Sequence, residues 1–555
     1  MDLSGIKNVF KKKEEDDSSE DFSARMSRKI ENFKKELYLS NDLLFSLTYM
    51  ASISTANVSR NKIFQSISQK KEYCPYIYFE KIKDLSQNWH YDYAKACELI
   101  SAQVKHDRLR ELFDRFSNAI AAGEPDTDFL KKEWILFNTK RKDEYDRNLE
   151  TTKEWSNAYT ALLVSTSLVS IIVLLAVLLY NLGDPAQTLY GTAFVVSIMS
   201  FGGVGLLFKG VPRDAMNHDL PIKSQEQIFI YKWMPLTLIL ATLLVVCLTL
   251  GPAFLYSIDF FVDIKGVGMI LAGVIMIPVG IMAHRDVTKI SKRDENYTTF
   301  IRSLGSIVSG SGLTIPQALV KIDPKNLGEL KEMTLELYRK LSSGLDAELS
   351  WNQFVGTSGS YLIHKFTSVF VDSVNLGGDA ETVGELVSTS NLELVLLRMK
   401  RDRIAASFTN LVVPLHLAMV ALLLFMGQIL TIFTNVIGKL FEQYDITSSE
   451  LSGVPGGVGG MNMGIFGGVP VELLGQYVVV VVIILTLANI LVVNIVKGGP
   501  LYLLVFYASI FFILSGIMMI GVPPAVDMVF SFDSFFDGGV GGAGGNLTGG
   551  MDGGI

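Results

Sequence analysis

The residues best suited to metal or nucleophilic chemistry are six histidines (His90, His106, His218, His284, His364, His416) and three cysteines (Cys74, Cys97, Cys247). No two histidines stand four apart, the spacing that places two ligands on one helix face, and no Cys-x-x-Cys pair occurs. Cys247 lies in an apolar run. The phosphate cradle GxxxxGK[ST] is missing, as are GxSxG and HExxH. These spacings predict no catalytic centre, no metal and no cofactor, and the chain is expected not to be an enzyme.

The elements that carry these residues are set by hydropathy and charge. The 555 residues are 49% hydrophobic and 19% charged, with mean hydropathy +0.34 and net charge −7. Of 49 Lys+Arg, 27 lie in residues 1–156 and 15 in 284–407, so only 7 serve the other 275 residues, too few for a soluble surface. The two charged blocks carry 27 and 15 acidic residues respectively, so neither is basic and no nucleic-acid partner is expected. Seven uncharged runs are long enough to cross a bilayer, starting near residues 155, 185, 233, 266, 404, 473 and 498. The fifth is 35 residues long, and its upper part could break into a re-entrant piece.

Basic residues cross membranes poorly and therefore fix the orientation. Lys140, Arg141, Lys142, Arg147 and Lys153 precede the first span, which places the N-terminal block in the cytoplasm. Seven alternating spans then put 284–407 inside and the C-terminus outside. The external segments are glycine-rich, with 8 glycines in 453–468 and 10 in 538–555, and are expected to be mobile. Asn546-Leu547-Thr548 on that side is a glycosylation sequon. No acidic or basic residue lies mid-span, which argues against an ion-coupled transporter.

The expected fold is all-α and polytopic, with about seven transmembrane helices and two cytoplasmic helical-bundle modules. The divisions are a disordered tail (1–38), a first module (39–156), four spans (157–283), a second module (284–407), three spans with the Gly-rich loop (408–526) and an external tail (527–555). In the second module Tyr297, Phe300, Ile301, Leu304, Ile307 and Val308 form a helical stripe, as do Leu330, Met333, Leu337, Leu341 and Leu345, and Leu362, Phe366, Val369, Phe370 and Val374. Gly310 and Gly312 mark one module turn and Gly377-Gly378 another. A new helix is expected at Thr314, with Gln317 at capping-box spacing. The first module repeats this layout about 254 residues earlier: Ser54–Ser59 aligns with Ser309–Thr314, Phe116 with Phe370, and Ala122-Gly123-Glu124 with Leu376-Gly377-Gly378. The first copy lacks the glycines of the earlier turn.

Two such modules placed before hydrophobic spans, with SGSGLTIPQAL (309–319) and VNLGGDAETVGEL (374–386) as their turns, resemble the type II secretion F family. Its members are the inner-membrane platforms of type II secretion systems, type IV pili and archaella, and this layout is most similar to the archaellum branch. The resemblance spans about residues 40–438. It implies a platform that couples a cytoplasmic ring ATPase to assembly, with rotation a further option, of a filament of pilin-like archaellin subunits, acting as a homodimer in the lipid bilayer. A pilus or secretion platform is the alternative within the family.

On that reading Arg398, Lys400, Arg401 and Arg403 are either anchors against lipid headgroups or docking residues for the ATPase. Arg339 and Lys340 are either a solvated helix face or a further contact. His416 and Gln428 either bond across helices near Pro414 or line an intramembrane groove for the pilin-like subunit.

Overall fold

The computed structural model describes residues 39, 41–180, 184–212, 214–251, 265–443 and 471–530. The N-terminal tail, both Gly-rich segments and the sequon lie outside the described residues. Among these residues the regular elements are helical, and the one β-bridge pairs Asn217 with Ser360. Seven helices are long and apolar enough to cross a membrane, so the chain is an all-α, multi-pass membrane protein. The described residues divide into two compact units.

The first unit holds the described residues up to Arg147, those within Arg213–Ser224, and Lys289–Arg398. It contains one helical series twice. The first copy is α1 (41–54), α2 (Arg60–Gln69), α3 (Tyr76–Trp89), α4 (Tyr93–Ser101), α5 (Asp107–Ala121) and the start of α6 (Asp126–Tyr180). The spans α7 (Pro185–Gly210) and α8 (Gln225–Leu244) follow, the latter extended by a π-helical turn at Val245–Leu250. The second copy begins in the last part of α9 (Lys265–Ser311). It continues through α10 (Ile315–Lys321), α11 (Lys331–Ser342), α12 (Ala347–Ser358) and α13 (Tyr361–Asn375), and closes with the start of α14 (Ala380–Gln443).

At its later turn the repeat keeps the offset of 254 in its backbone devices. Gly123 ends α5 at φ 74° and Gly377 ends α13 at φ 91°, a left-handed conformation that a side chain would strain. At both ends the next amide reaches back over the turn, Glu124 N to Ala119 O at 3.0 Å and Gly378 N to Ser373 O at 2.9 Å. This is the Schellman closure that satisfies the last carbonyls of a helix. At the earlier turn the second copy uses Gly312 (φ 61°), whereas the first uses Asn57 (φ 50°), one residue out of register. Asparagine tolerates this region better than other side chains, so the lost glycine is replaced in function. At Thr314 the Gln317 Oε1 accepts from the backbone N–H at 3.2 Å.

Both copies share one apolar core. Phe45, Phe64, Phe113 and Phe116 of the first copy and Phe300, Phe366 and Phe370 of the second are all buried in it. The Phe45 ring stands edge-on to Phe366 at 5.1 Å and to Tyr361 at 5.8 Å. Trp134 of α6 donates to Ser390 of α14 at 2.9 Å, and Thr48 of α1 meets the same hydroxyl at 3.3 Å. Leu345 departs from its expected stripe: α11 stops at Ser342, Gly344 turns the chain at φ 77°, and Leu345 is 57% exposed.

The second unit holds Asn148–Pro212, Gln225–Thr288 and the described residues from Met399 onward. It adds α15 (Val471–Lys497) and α16 (Leu504–Val529). α14 runs unbroken to Gln443 with Pro414 inside it, so the fifth span has no re-entrant break. α9 and α16 approach through glycines seven residues apart. A Cβ at Gly266 would stand 2.7 Å from the Gly516 carbonyl, at Gly273 2.9 Å from the Ser509 carbonyl, and at Gly280 2.9 Å from the Phe506 Cα. Without a hydrophobic drive between helices in lipid, such backbone contact supplies the packing. Gly273→Leu should therefore lower stability by about 1–3 kcal/mol through overpacking, read as the unfolding midpoint in detergent. Gly202→Leu, where a Cβ meets nothing within 4 Å, should leave the midpoint unchanged.

Candidate functional site

Where the two module copies meet inside the first unit, the segment after α2 lays charged side chains on α13. The buried Lys365 ammonium lies 2.8 Å from Glu72 and 4.9 Å from the centre of the Tyr73 ring. Lys70 pairs with Asp372 and donates to Ser368 at 2.8 Å. Burial alone would push the Glu72 carboxyl up, but Lys365, together with His364 and Lys70, outweighs it and holds it below its ordinary value. His364, 3.8 Å from Glu72, is pushed down to about 4 by burial, against the pull of that carboxylate.

Residues 214–222, between spans α7 and α8, are sewn into this unit. Asp214 accepts from Tyr145 Oη at 2.6 Å and from Asn41 Nδ2 at 3.5 Å, and Asn41 in turn accepts from the buried Arg141. The Ala215 carbonyl accepts from Arg398 at 2.7 Å, and the Met216 carbonyl accepts from the Tyr361 amide at 2.9 Å. Asn217 bridges to Ser360. His218, 2% exposed, donates from Nε2 to the Gly356 carbonyl at 3.0 Å and accepts at Nδ1 from the Leu220 amide at 3.2 Å. Those partners define the neutral tautomer, and burial lowers its pKa further. Ile222 lies flat on Gly356, where a Cβ would meet its Cβ at 2.6 Å.

The basic residues singled out in the sequence divide in two. Arg398 is turned inward, where it pairs with Asp294 at 2.8 Å as well as holding Ala215. Asp294 is 2% exposed, and burial pushes its carboxyl up to about 6 although Arg398 pulls the other way. Ser360 also donates to it. Arg401, in the second unit, is 4% exposed and caps the C-terminus of α15, donating to the carbonyls of Ile495 at 3.0 Å and Val496 at 3.2 Å. A cation there also opposes the negative end of the helix dipole. Gly498, at φ 69°, leaves the space its guanidinium fills. Lys400, Arg403 and Arg339 are exposed, and Lys340 pairs with Glu336 one turn before it. Gly310 and Gly312 are exposed at the end of α9, where Ser309 donates to Asp379 at 3.0 Å. Gly378 sits close to Thr55 of the first copy.

The two intramembrane candidates have different settings. His416 is 1% exposed inside a hydrogen-bond chain. Tyr159 donates to Asn489 at 2.8 Å, Asn489 to His416 Nδ1 at 2.9 Å, and His416 Nε2 to Ser515 at 2.8 Å. Thr486 continues it at 2.9 Å from Ser515 and ends it on the Val482 carbonyl at 2.7 Å. This chain ties α6, α14, α15 and α16. Gln428 instead donates to the exposed Asp527 at 2.7 Å, at one end of an open groove of about 570 Å³ between α14 and α16. Ala418, Ala421, Phe425, Gly521 and Ala525 are among its lining residues. No cluster able to hold a metal ion occurs among the described residues.

This arrangement, two pseudo-equivalent helical modules feeding a bundle of spans, is matched by the family model for the Type II secretion system (T2SS), protein F, over residues 46–174 and again over 300–431. The two matches start 254 residues apart, the same offset as the paired Schellman turns. Two stretches of the chain therefore carry the T2SSF domain. It is similar to the Flagella accessory protein J of Methanocaldococcus jannaschii, at 23% identity over 66% of this chain and 65% of that protein. To the Flagella accessory protein J of Methanococcus voltae it is 21% identical, over 73% of this chain and 72% of the relative. No solved structure matches.

The charged seam carries a pH dependence with a definite sign. His364 is held at about 4 against an ordinary 6.5, so the unfolded chain takes up this proton first. Its contribution to stability is complete above pH 6.5 and is lost as pH falls toward 4. At ~1.4 kcal/mol per pH unit the loss reaches at most about 3 kcal/mol. His364→Gln should remove it, so that the difference between variant and wild-type stability grows in the variant's favour from pH 6.5 to 4 in detergent titrations.

Proposed function

We propose that this chain is the membrane platform of an archaellum-type assembly system. The observation that carries the reading is the pair of F-family modules sharing one core, three of whose helices (α6, α9 and α14) continue without a break into spans. A load applied to the modules can therefore enter the membrane along continuous helices. The modules face the cytoplasm on the charge asymmetry of the loops. A separate cytoplasmic ring ATPase supplies the energy, since this chain carries no nucleotide motif, and the platform acts as a non-enzymatic coupler. The names of the two relatives favour the archaellum over a pilus or secretion system.

Lys400, Arg403 and Arg339 lie exposed where an acidic ATPase surface could meet them, whereas Arg398 and Arg401 serve internal contacts. The groove beside Gln428 accepts the apolar helix of a pilin-like archaellin, because Ala418, Ala421, Gly521 and Ala525 let a helix backbone come close. A homodimer would form through outer faces, as the surfaces that join module to module are used within one chain.

Deleting the gene should abolish the swimming filament while pili persist, and plasmid-borne wild type should restore it, scored by electron microscopy and a swimming assay. Loss of pili with swimming retained would move the platform to the pilus branch, and intact filaments of both kinds would end the assembly reading. In the rescue strain Ala421→Trp, which fills the groove, should cut filament number at least tenfold at unchanged membrane content of the chain. Normal filament number would exclude the groove as the subunit's path.

A further inference from the structure

We propose that residues 214–222 are a strap that makes the span α8 follow the module pair, an inference that rests on the platform reading above. The strap is held at five consecutive positions. Asp214 is fixed by Tyr145 and Asn41, Ala215 by Arg398, Met216 by Tyr361, Asn217 by Ser360 and His218 by Gly356. These partners come from both module copies, so the strap reports their joint position and not that of one alone. Three of the five contacts use backbone carbonyls or a backbone bridge, which fixes the path of the chain itself rather than a side chain.

The two ends of the strap lead to spans of different freedom. On its N-terminal side α7 is anchored against α15, with Tyr190 donating to Gln476 at 2.6 Å, and against α6, with the Tyr159 ring lying against Gly203. On its C-terminal side α8 begins at Gln225, three residues past the end of the strap. Only 11% of the most apolar stretch of α8 is buried in the protein, against 67% for α15. Pro235 interrupts its hydrogen-bond ladder and a π turn follows at Val245–Leu250, both of which are sites where helices bend. The first turns of α8 are held, with Gln227 donating to Asp286 at 3.4 Å, but the rest is lightly packed, so a displacement that the strap passes to those turns is taken up at the two weak points beyond them.

The test uses the full-length chain. Gly356→Ala places a methyl where Ile222 now lies, while favouring α12 by helix propensity, so it evicts the strap without weakening the helix beneath it. Amide exchange of the purified variant in detergent should then be at least tenfold faster across 214–222 and across the first turns of α8, 225–232, with 362–375 unchanged. Unchanged exchange in 225–232 while 214–222 is released would overturn the strap as the control element of α8, as would unchanged exchange throughout. A second variant carries a six-residue Gly-Ser insertion between Ser224 and Gln225. It keeps every strap contact and adds slack, and in the deletion strain it should yield at least tenfold fewer filaments than wild type at equal membrane content. Wild-type filament number from the slack variant would overturn the inference. If deletion itself leaves filaments intact the platform reading fails instead, and the exchange result still decides whether strap and span are linked.

Discussion

A carboxylate with 2% of its surface exposed must find a cation or hydrogen-bond donors inside the protein, and Asp294 finds Arg398, which turns inward to meet it. That one pair joins α9 to α14, two of the three helices that pass from the modules into spans. The same guanidinium holds Ala215 of the strap, and the same carboxylate receives the hydroxyl of Ser360, the residue that caps α13 and bridges to Asn217. Asn391 closes the cluster by donating to the Asp294 carbonyl at 2.7 Å. Removing one partner would leave an uncompensated buried charge, so the pair is a constraint on geometry more than a source of stability. Its consequence is that the path of the strap, the start of α13 and the crossing of α9 with α14 are set together.

The duplication explains why such a constraint can be met twice over in outline and once in detail. Gly123 and Gly377 close their helices with the same two hydrogen bonds, and the chains then turn into α6 and α14 at the same point. The position of Asp294 corresponds at the same offset to residue 40 and that of Arg398 to Glu144, so the ion pair belongs to the second copy alone. The first copy instead contributes Asn41, Arg141 and Tyr145, which converge on Asp214. One copy has become the anchor for the middle of the strap and the other for its beginning.

Much of this was legible in the residues. Uncharged runs between charged blocks identify seven spans because bilayer thickness demands their length, and helical stripes such as Tyr297, Phe300, Ile301 and Leu304 mark the buried face because core positions must recur with the helix period. The turn glycines were legible for a similar reason, since few residues take positive φ without strain. The strap was not. It reads as a polar loop between two spans, and what holds it beside the Asp214 carboxylate and the His218 ring is backbone carbonyls and the bare face of Gly356, which leave no side-chain pattern. Arg398 and Arg401 were legible as cations at a membrane boundary. That both are occupied inside the protein was not, because their partners, Asp294 and the end of α15, are about 100 residues away in sequence.

The membrane candidates show how position in a polar chain decides what a side chain can do. Every donor from Tyr159 to Thr486 points the same way, so each hydroxyl, amide and ring nitrogen has its partner and His416 is spent on holding α14 against α15 and α16. α14 carries Pro414 just before His416, and α16 carries Pro523-Pro524 beyond Ser515, residues that supply no N–H to the helix ladder. The two helices meet again where Gln428 reaches Asp527 and the Phe425 and Phe530 rings lie 6.3 Å apart. Between these two fastenings Ala418, Ala421, Gly521 and Ala525 stand among the larger Leu422, Phe425, Val522 and Val526, and the space beside the small residues is the groove. It is therefore a consequence of where the polar contacts are placed: a closed polar chain at one end and a single exposed hydrogen bond at the other leave the second as the end that opens at the lower free-energy cost.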